Sequence, residues 1–338
     1  MNSLIDIKAL EIGYRLSKSK TVSLLPPVNL QLKRAAITGL IGVNGSGKST
    51  LLRTLAGVLI PLSGEMLFDN FNASHLKLKD RARLISVVLT ETIDDPYLKV
   101  IDVVAMGRYP YTGFLGKLDK ADFEICYHAM ESTGIMQLSQ RRLNQLSDGE
   151  KQKVMIAKAL AQDTPLILLD EPAAYLDYPS KIELMLLLKK LTIEQHKTIL
   201  ISSHDLEMLL RTVDDLWLIG RDLPAIQGIP EQLVIDGLIS QYFGTDAIFQ
   251  ESGHLSNLGE SDSSEGFYVA GDGFRAHWVR HALIRTGRLI SYKLSSKNQI
   301  IIEGSNFEYR MNGDVVFKTS IFEELLIKLS ENEKLFNT

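Results

Sequence analysis

Gly42-Val43-Asn44-Gly45-Ser46-Gly47-Lys48-Ser49-Thr50 is the stretch that decides the fold. It fits the phosphate-loop pattern G-x-x-x-x-G-K-[ST], and its flanks supply the context that pattern needs. The apolar run Ala36 to Ile41 precedes it and reads as a buried strand, and a helical pattern follows. Glycines let the backbone turn tightly enough for several N–H groups to point at phosphate oxygens. The helix start adds partial positive charge. In this reading Gly42, Asn44, Gly45, Ser46, Gly47 and Thr50 shape the cradle, Lys48 reaches the β- and γ-phosphates, and the Ser49 hydroxyl binds Mg²⁺. A glycine-rich turn with an incidental lysine is the competing account, and the strand–loop–helix context weighs against it.

Two further apolar runs extend the pattern. Leu166 to Leu169 ends in Asp170-Glu171, and Thr198 to Ser202 leads into His204. Solvated acids capping a strand would look the same. With a phosphate loop upstream, Asp170 is read as a Mg²⁺ ligand and Glu171 as the group that polarises the attacking water. His204 follows a strand at the sheet edge where such sites lie, placed to sense a γ-phosphate, although a lone histidine also fits a structural role. Pro179 suits the first turn of a helix continuing through Ile182, Leu186 and Ile193. Helical patterns dominate from Thr92 to about Gln162.

With these residues in place the chain resembles the ATP-binding cassette (ABC) family. Leu146-Ser147-Asp148-Gly149-Glu150 is similar to that family's signature and stands 23 residues ahead of Asp170, counted from Ser147. Ala174-Tyr175-Leu176-Asp177 looks like its D-loop, Ser203-His204-Asp205 like its switch-histidine loop, and Tyr14 like its adenine-stacking aromatic. The resemblance covers about residues 4 to 244. It implies an ATPase using ATP and Mg²⁺ and working with a second copy of itself. Ser147, Asp148, Gly149 and Glu150 would then face the partner's nucleotide, with Asp177 in the D-loop. It further implies two transmembrane permease subunits and, indirectly, an extracytoplasmic substrate-binding protein. The expected place is peripheral, on the cytoplasmic side of the cell (inner) membrane.

Val103 to Tyr111, containing Met106-Gly107-Arg108-Tyr109-Pro110, is similar to a segment of the ATPases that serve ferric-siderophore, haem and cobalamin importers, where this region faces the permease. Two positions depart from the family. Asp148 stands where the signature has a glycine, and no glutamine occurs between Gln31 and Gln137 to serve as the Q-loop residue. Thr90 and Glu91 occupy that place and are the candidates to contact Mg²⁺ instead.

The expected fold class is α/β: a phosphate-loop ABC cassette with a mainly parallel sheet and a helical subdomain at about 92–162, then a small α+β domain. The expected boundaries are 1–246 for the cassette, 247–265 for a polar linker and 266–338 for the C-terminal domain, whose role no motif assigns. That domain shows strand-like runs at Gly266 to Ala270, Leu289 to Leu294, Gln299 to Glu303, Phe307 to Met311 and Val315 to Lys318, then a helix from about Ser320 to Leu329.

Composition sets outer limits. Hydrophobic residues make up 45% of the 338 and charged residues 23%, enough apolar material for packed cores. A formal net charge of −4 gives no general attraction to nucleic acid, and none is expected as a partner. A single cysteine, Cys126, excludes an intramolecular disulfide. No apolar run approaches the ~20 residues that span a bilayer, and Met1 to Lys8 lack the pattern of a secretory signal. The alternative kept open is a soluble ABC ATPase acting on the ribosome or nucleic acid. A single phosphate loop and the lack of a long heptad run weigh against it.

Overall fold

The computed structural model describes residues 3–17, 20–73, 76–89, 95, 97–113, 115–244, 260–261, 266–271 and 273–336. The chain divides into two compact units, Met1–Gln227 and Gly228–Thr338. The first unit holds every assigned motif. The division falls ahead of Pro230, whereas the sequence reading carried the cassette on to residue 246.

The first unit is built on two larger sheets. The antiparallel one has the order β4-β1-β6-β7, formed by β1 (Ser3–Glu11), β4 (Val28–Lys33), β6 (Ser63–Phe68) and β7 (Phe71–Asn72). A hairpin of β2 (Gly13–Ser17) and β3 (Lys20–Ser23) stands beside it as its own two-stranded sheet. The other large sheet has the order β12-β11-β5-β10-β9-β8. Its members are β5 (Ile37–Ile41), β8 (Ile85–Val88), β9 (Leu166–Asp170), β10 (Thr198–Ser202), β11 (Asp215–Leu218) and β12 (Ile226–Gly228). The run β11-β5-β10-β9-β8 is parallel throughout. Every residue of β5, β9 and β10 is buried, which is why these strands read as continuous apolar runs rather than alternating ones.

Helix α1 (Lys48–Leu55) is held between the sheets. Its Leu51, Leu52 and Leu55 share one core with Ile5, Ile7, Leu30 and Leu32 of the antiparallel sheet and with Leu40, Leu168, Leu200 and Trp217 of the parallel one. Fully burying a leucine is worth about 1.5–3 kcal/mol, so this stripe fixes where the helix can begin. Between α2 (Leu78–Arg81) and β9 lie the helices of the predicted subdomain: α3 (Val100–Ala105), α4 (Lys120–Ser132) and α5 (Asp148–Ala161). Helix α6 (Tyr178–Glu194) carries Pro179 in its first turn, as the sequence suggested, and α7 (Leu206–Thr212) follows β10.

The second unit begins with α8 (Pro230–Ile235) and α9 (Leu238–Phe243). Its mixed sheet has the order β13-β15-β14-β16-β17-β18. The strands are β13 (Glu260–Ser261), β14 (Phe267–Val269), β15 (Ile290–Ser291), β16 (Asn298–Glu303), β17 (Asn306–Met311) and β18 (Asp314–Thr319). Helices α10 (Phe274–Arg285) and α11 (Phe322–Phe336) pack with it around Val269, Val279, Leu283, Ile300, Phe307, Phe322 and Leu325. Helix α10 was absent from the sequence reading, although Ala276, Val279 and Leu283 recur at helical spacing and are buried. Glu231 of α8 is fully buried here. It accepts bonds from Arg285 Nε at 2.7 Å and Nη2 at 2.9 Å, and lies 2.9 Å from His281 Nδ1.

Candidate functional site

The carboxyl ends of β5, β9 and β10 carry the phosphate loop, Asp170-Glu171 and the His204 loop respectively. Since β10 lies between β5 and β9, the three chemistries meet at one edge of the sheet.

The phosphate loop needs its glycines for different reasons. Gly45 and Gly47 have φ of 76° and 94°, a region that side-chain-bearing residues rarely enter. Gly42 is needed for space: a Cβ there would lie 2.2 Å from the Ile219 carbonyl and 2.6 Å from Ser46 Oγ. Lys48 opens α1, and its Nζ donates to the Gly42 carbonyl at 2.8 Å, so the ammonium is folded across the loop. Burial pushes its pKa below the ordinary lysine value, while the charges of Glu171 and Asp170 pull it back up. Ser46 Oγ is buried and has no hydrogen-bonding partner among the described residues. Ser49 and Asn44 are exposed. Tyr14, on β2, is 43% exposed, and its hydroxyl lies 3.1 Å from Thr50 Oγ1 at the start of α1.

Asp170 is buried at the end of β9 and accepts a bond from Ser202 Oγ at 2.7 Å. Glu171 turns off the sheet with φ of 48°, a conformation that costs a non-glycine residue on the order of 1–3 kcal/mol. Its N–H is taken by the same Ser202 Oγ at 2.9 Å. Its carboxylate Oε2 lies 3.0 Å from His204 Nδ1. Asp205, next in the chain, caps α7 and pairs with Lys181 of α6 at 2.8 Å, which ties the histidine loop to the helix that follows the D-loop. Asp177 caps that helix by accepting from Ser180 N–H at 3.0 Å, and the bonds from Ser180 hold its carboxyl below the usual range. Lys181 and Ser202 carry no role on sequence grounds, and Asp205 enters there only as the last residue of the switch-histidine loop. The β9–β10 register, which sets Ser202 opposite Asp170, is the signal that identifies Ser202.

The signature residues form a second group at the start of α5. Ser147 is the N-cap, with its hydroxyl accepting from Glu150 N–H at 3.3 Å, and Glu150 Oε2 accepts from Ser147 N–H at 2.8 Å. This reciprocal box satisfies two donors that a helix start otherwise leaves open, and it lowers the pKa of Glu150. Asp148 sits at the first helical position, exposed, with Oδ1 3.4 Å from Lys151 Nζ. A cleft of about 250 Å³ beside the signature is lined by Ser147, Gly149, Glu150, Leu176 and Ser180, so signature and D-loop adjoin within one chain.

The Met106–Pro110 segment forms a 3₁₀ turn after α3. Arg108 is buried: Nε bonds Asp122 at 2.9 Å, Nη1 bonds the Ala161 carbonyl at 2.9 Å, and the guanidinium lies 4.0 Å over the Tyr111 ring. It acts as an internal strut of the helical subdomain, and Tyr109 is the exposed residue of the segment's centre. Thr90 and Glu91 lie outside the described residues.

Residues 25–174 match the ABC transporter family model. The petrobactin import ATP-binding protein FpuD of Bacillus anthracis is 35% identical over 255 residues, which is 74% of this chain and 92% of that protein. This chain belongs to the ABC transporter ATP-binding protein family. It is an ATPase of the ABC type. The ferric enterobactin transport ATP-binding protein FepC of Escherichia coli is 34% identical, over 64% of this chain and 80% of its own length. Among solved structures, the dimeric ATP-binding cassette MJ0796 bound to ADP and phosphate superposes with a TM-score of 0.58 at 26% identity. That match covers 67% of this chain and 98% of the other. The family model ends at residue 174, within the first unit of this ABC cassette protein.

Proposed function

We propose that this chain is the energy-supplying subunit of an importer for metal chelates of the ferric-siderophore, haem or cobalamin class. The observation that carries the reading is the convergence of Lys48, Asp170, Glu171 and His204 at one edge of the parallel sheet. The names of the relatives, petrobactin import and ferric enterobactin transport, support the substrate class.

The loop fits a nucleotide triphosphate. The buried Ser46 hydroxyl, the left-handed glycines and the folded-over Lys48 form a cradle of donors suited to anionic oxygens. Tyr14 offers its ring as a platform for adenine, and stacking of this kind is worth about 1–3 kcal/mol. Gly42, Asn44, Gly45, Ser46, Gly47 and Thr50 shape the cradle. Mg²⁺ also fits: this cation is typically held by one or two carboxylates together with phosphate oxygens, and Asp170 offers a buried carboxylate at the end of β9, beside the loop. Ser49 and Asp170 would hold it, and when bound it would neutralise charge on the β- and γ-phosphates. Glu171 accepts the proton of the attacking water, and His204 holds that carboxylate and contacts the γ-phosphate.

Ser147, Gly149 and the start of α5 serve the nucleotide of a second copy, so that ATP favours a closed pair and hydrolysis removes that preference. Asp148 and Glu150 act within the signature and Asp177 within the D-loop. Thr90 and Glu91 stand in for the missing Q-loop glutamine. Two permease subunits receive the motion at the cytoplasmic face of the membrane, with an extracytoplasmic binding protein delivering the chelate. No helix described is long and apolar enough to cross a membrane, so the attachment proposed is through these partners.

The test is co-purification with the permease, followed by ATPase assays across ferric siderophores, haem and cobalamin presented with the binding protein. Stimulation by one chelate class supports the reading. Equal activity with and without every chelate, together with stimulation by ribosomes, would replace it with the soluble alternative.

A further inference from the structure

We infer that Ser202 is a positioning residue that sets the metal-side carboxylate and the proton-accepting carboxylate in register through one hydroxyl. The inference rests on the reading that Asp170 and Glu171 serve Mg²⁺ binding and hydrolysis.

Parallel pairing of β9 and β10 places Ser202 directly opposite Asp170. Ser202 is fully buried, so its hydroxyl has no access to water. The hydroxyl proton goes to Asp170 Oδ1 at 2.7 Å, and an oxygen lone pair receives the Glu171 N–H at 2.9 Å. One side chain therefore touches both carboxylate residues in different ways: it fixes the orientation of the first carboxyl group and the backbone of the second. The second contact matters because Glu171 has already left the strand, with φ of 48°. A backbone held in that region relaxes unless its surroundings determine it. Ser202 holds the Glu171 N–H, while the Ala174 N–H donates to the Glu171 carbonyl at 3.2 Å. The Glu171 carboxylate is then aimed from its other end by His204, two residues after Ser202 on the same segment. A displacement of this segment therefore reaches the metal side, the base and the γ-phosphate contact together.

Neither bond is replaceable by solvent at a fully buried site. Replacing Ser202 with alanine leaves the Glu171 N–H unsatisfied and removes a donor from Asp170. Groups that orient metal ligands from behind typically contribute about 10–100-fold in metal affinity or activity.

The experiment uses the full chain as Ser202→Ala, Ser202→Thr and Ser202→Val. Alanine removes a single heavy atom and cannot clash, and threonine and valine have the same shape while differing in the hydroxyl. Two readouts are taken: kcat and KM for ATP, and calorimetric affinity for AMP-PNP with and without Mg²⁺. The expected result is that alanine and valine lower kcat about 10–100-fold with KM little changed. They also lose most of the tightening that Mg²⁺ gives to AMP-PNP, while metal-free affinity stays at the parental value. Threonine retains parental behaviour in both readouts. Parental kcat and Mg²⁺ response in alanine and valine would overturn the inference. So would equal impairment of threonine and valine, which would assign the effect to packing. Glu171→Gln, run in parallel, separates the two levels: if it hydrolyses normally, the reading of the site fails, whatever Ser202 does.

Discussion

His204 Nδ1 lies 3.0 Å from Glu171 Oε2, so the residue assigned to sense the γ-phosphate and the residue assigned to accept a proton hold each other. Their side chains are 57% and 26% exposed, and a contact that open to water contributes at most about 1 kcal/mol to stability. Its consequence is orientation: the carboxylate is aimed across the end of β10.

Glu171→Gln preserves the size of the side chain and a group that can meet His204, but removes the proton acceptor. Hydrolysis is expected to fall by about 10²–10⁴-fold while ATP binding persists. ATP-bound pairs of chains should then accumulate, visible by size-exclusion chromatography. His204→Ala should lower turnover while leaving the melting temperature nearly unchanged, because the lost contact is exposed.

Asp148 replaces the glycine usual in the signature, and its carboxylate leans toward Lys151 within its own helix turn. An acid in the first turn also favours the helix by about 0.3–1 kcal/mol. Asp148→Gly should therefore slightly destabilise the start of α5 without loss of ATP-driven pairing. On the proposal that the signature faces a partner's nucleotide, Lys151→Ala should weaken pairing, because Asp148 would then be uncompensated near that phosphate. Sedimentation at graded ATP concentrations reads both, and unchanged pairing in Lys151→Ala would remove the charge argument.

The cassette was legible because its chemistry is local. A phosphate loop between a strand and a helix, two acids ending a buried run and a Leu-Ser-x-Gly-Glu helix start each occupy a few adjacent residues. Relations across strands were not legible. Ser202 looked like the last residue of an apolar strand until the register set it against Asp170. Arg108, read in a segment that faces the permease in similar proteins, turned inward because Asp122 and the Ala161 carbonyl satisfy it there. Helix α10 was missed because Arg275, Arg280 and Arg285 interrupt its apolar positions, and strand-like runs surround it.

Thr90 and Glu91 carry a chemical expectation. A threonine hydroxyl and a glutamate carboxylate are both oxygen donors that suit Mg²⁺. The double alanine variant should retain ATP binding and lose turnover or transport coupling in the presence of the permease, and Thr90→Gln should stay active. Parental transport by the double variant would remove both residues from the role.

Burial opposes the charge on Glu231, but Arg285 and the bond from His281 outweigh it and bring its pKa down from 4.5 to about 2. A carboxylate lowered in the folded state contributes stability that is present above its unfolded pKa and lost as pH falls toward the folded one. The second unit should therefore weaken between about pH 4.5 and pH 2. Glu231→Gln leaves Arg285 buried without its counter-charge, a loss typically of about 3–5 kcal/mol, and should flatten the acid limb of the stability curve. Denaturant melts followed by Trp278 fluorescence, with Trp217 replaced, measure this. An unchanged acid limb would show that Glu231 is not the titrating group.

The same ion cluster tests where the cassette ends. Every residue assigned to ATP lies within Met1–Gln227, so a chain stopped after Gly228, which completes β12, should bind and hydrolyse ATP. A chain stopped at residue 246, the boundary read from sequence, keeps α8 and α9 but loses Arg285 and His281, the partners of Glu231, and the core residues that Ile229 is buried beside. It would present a carboxylate and apolar side chains built for an interior to water. The expectation is that the longer truncation is the less soluble and the more prone to aggregate, although it contains more of the protein. Both are compared by expression yield, light scattering and ATP binding. If the chain ending at 246 is soluble and active while the one ending at 228 fails to fold, α8 and α9 belong to the cassette and the division proposed at Gly228 is wrong.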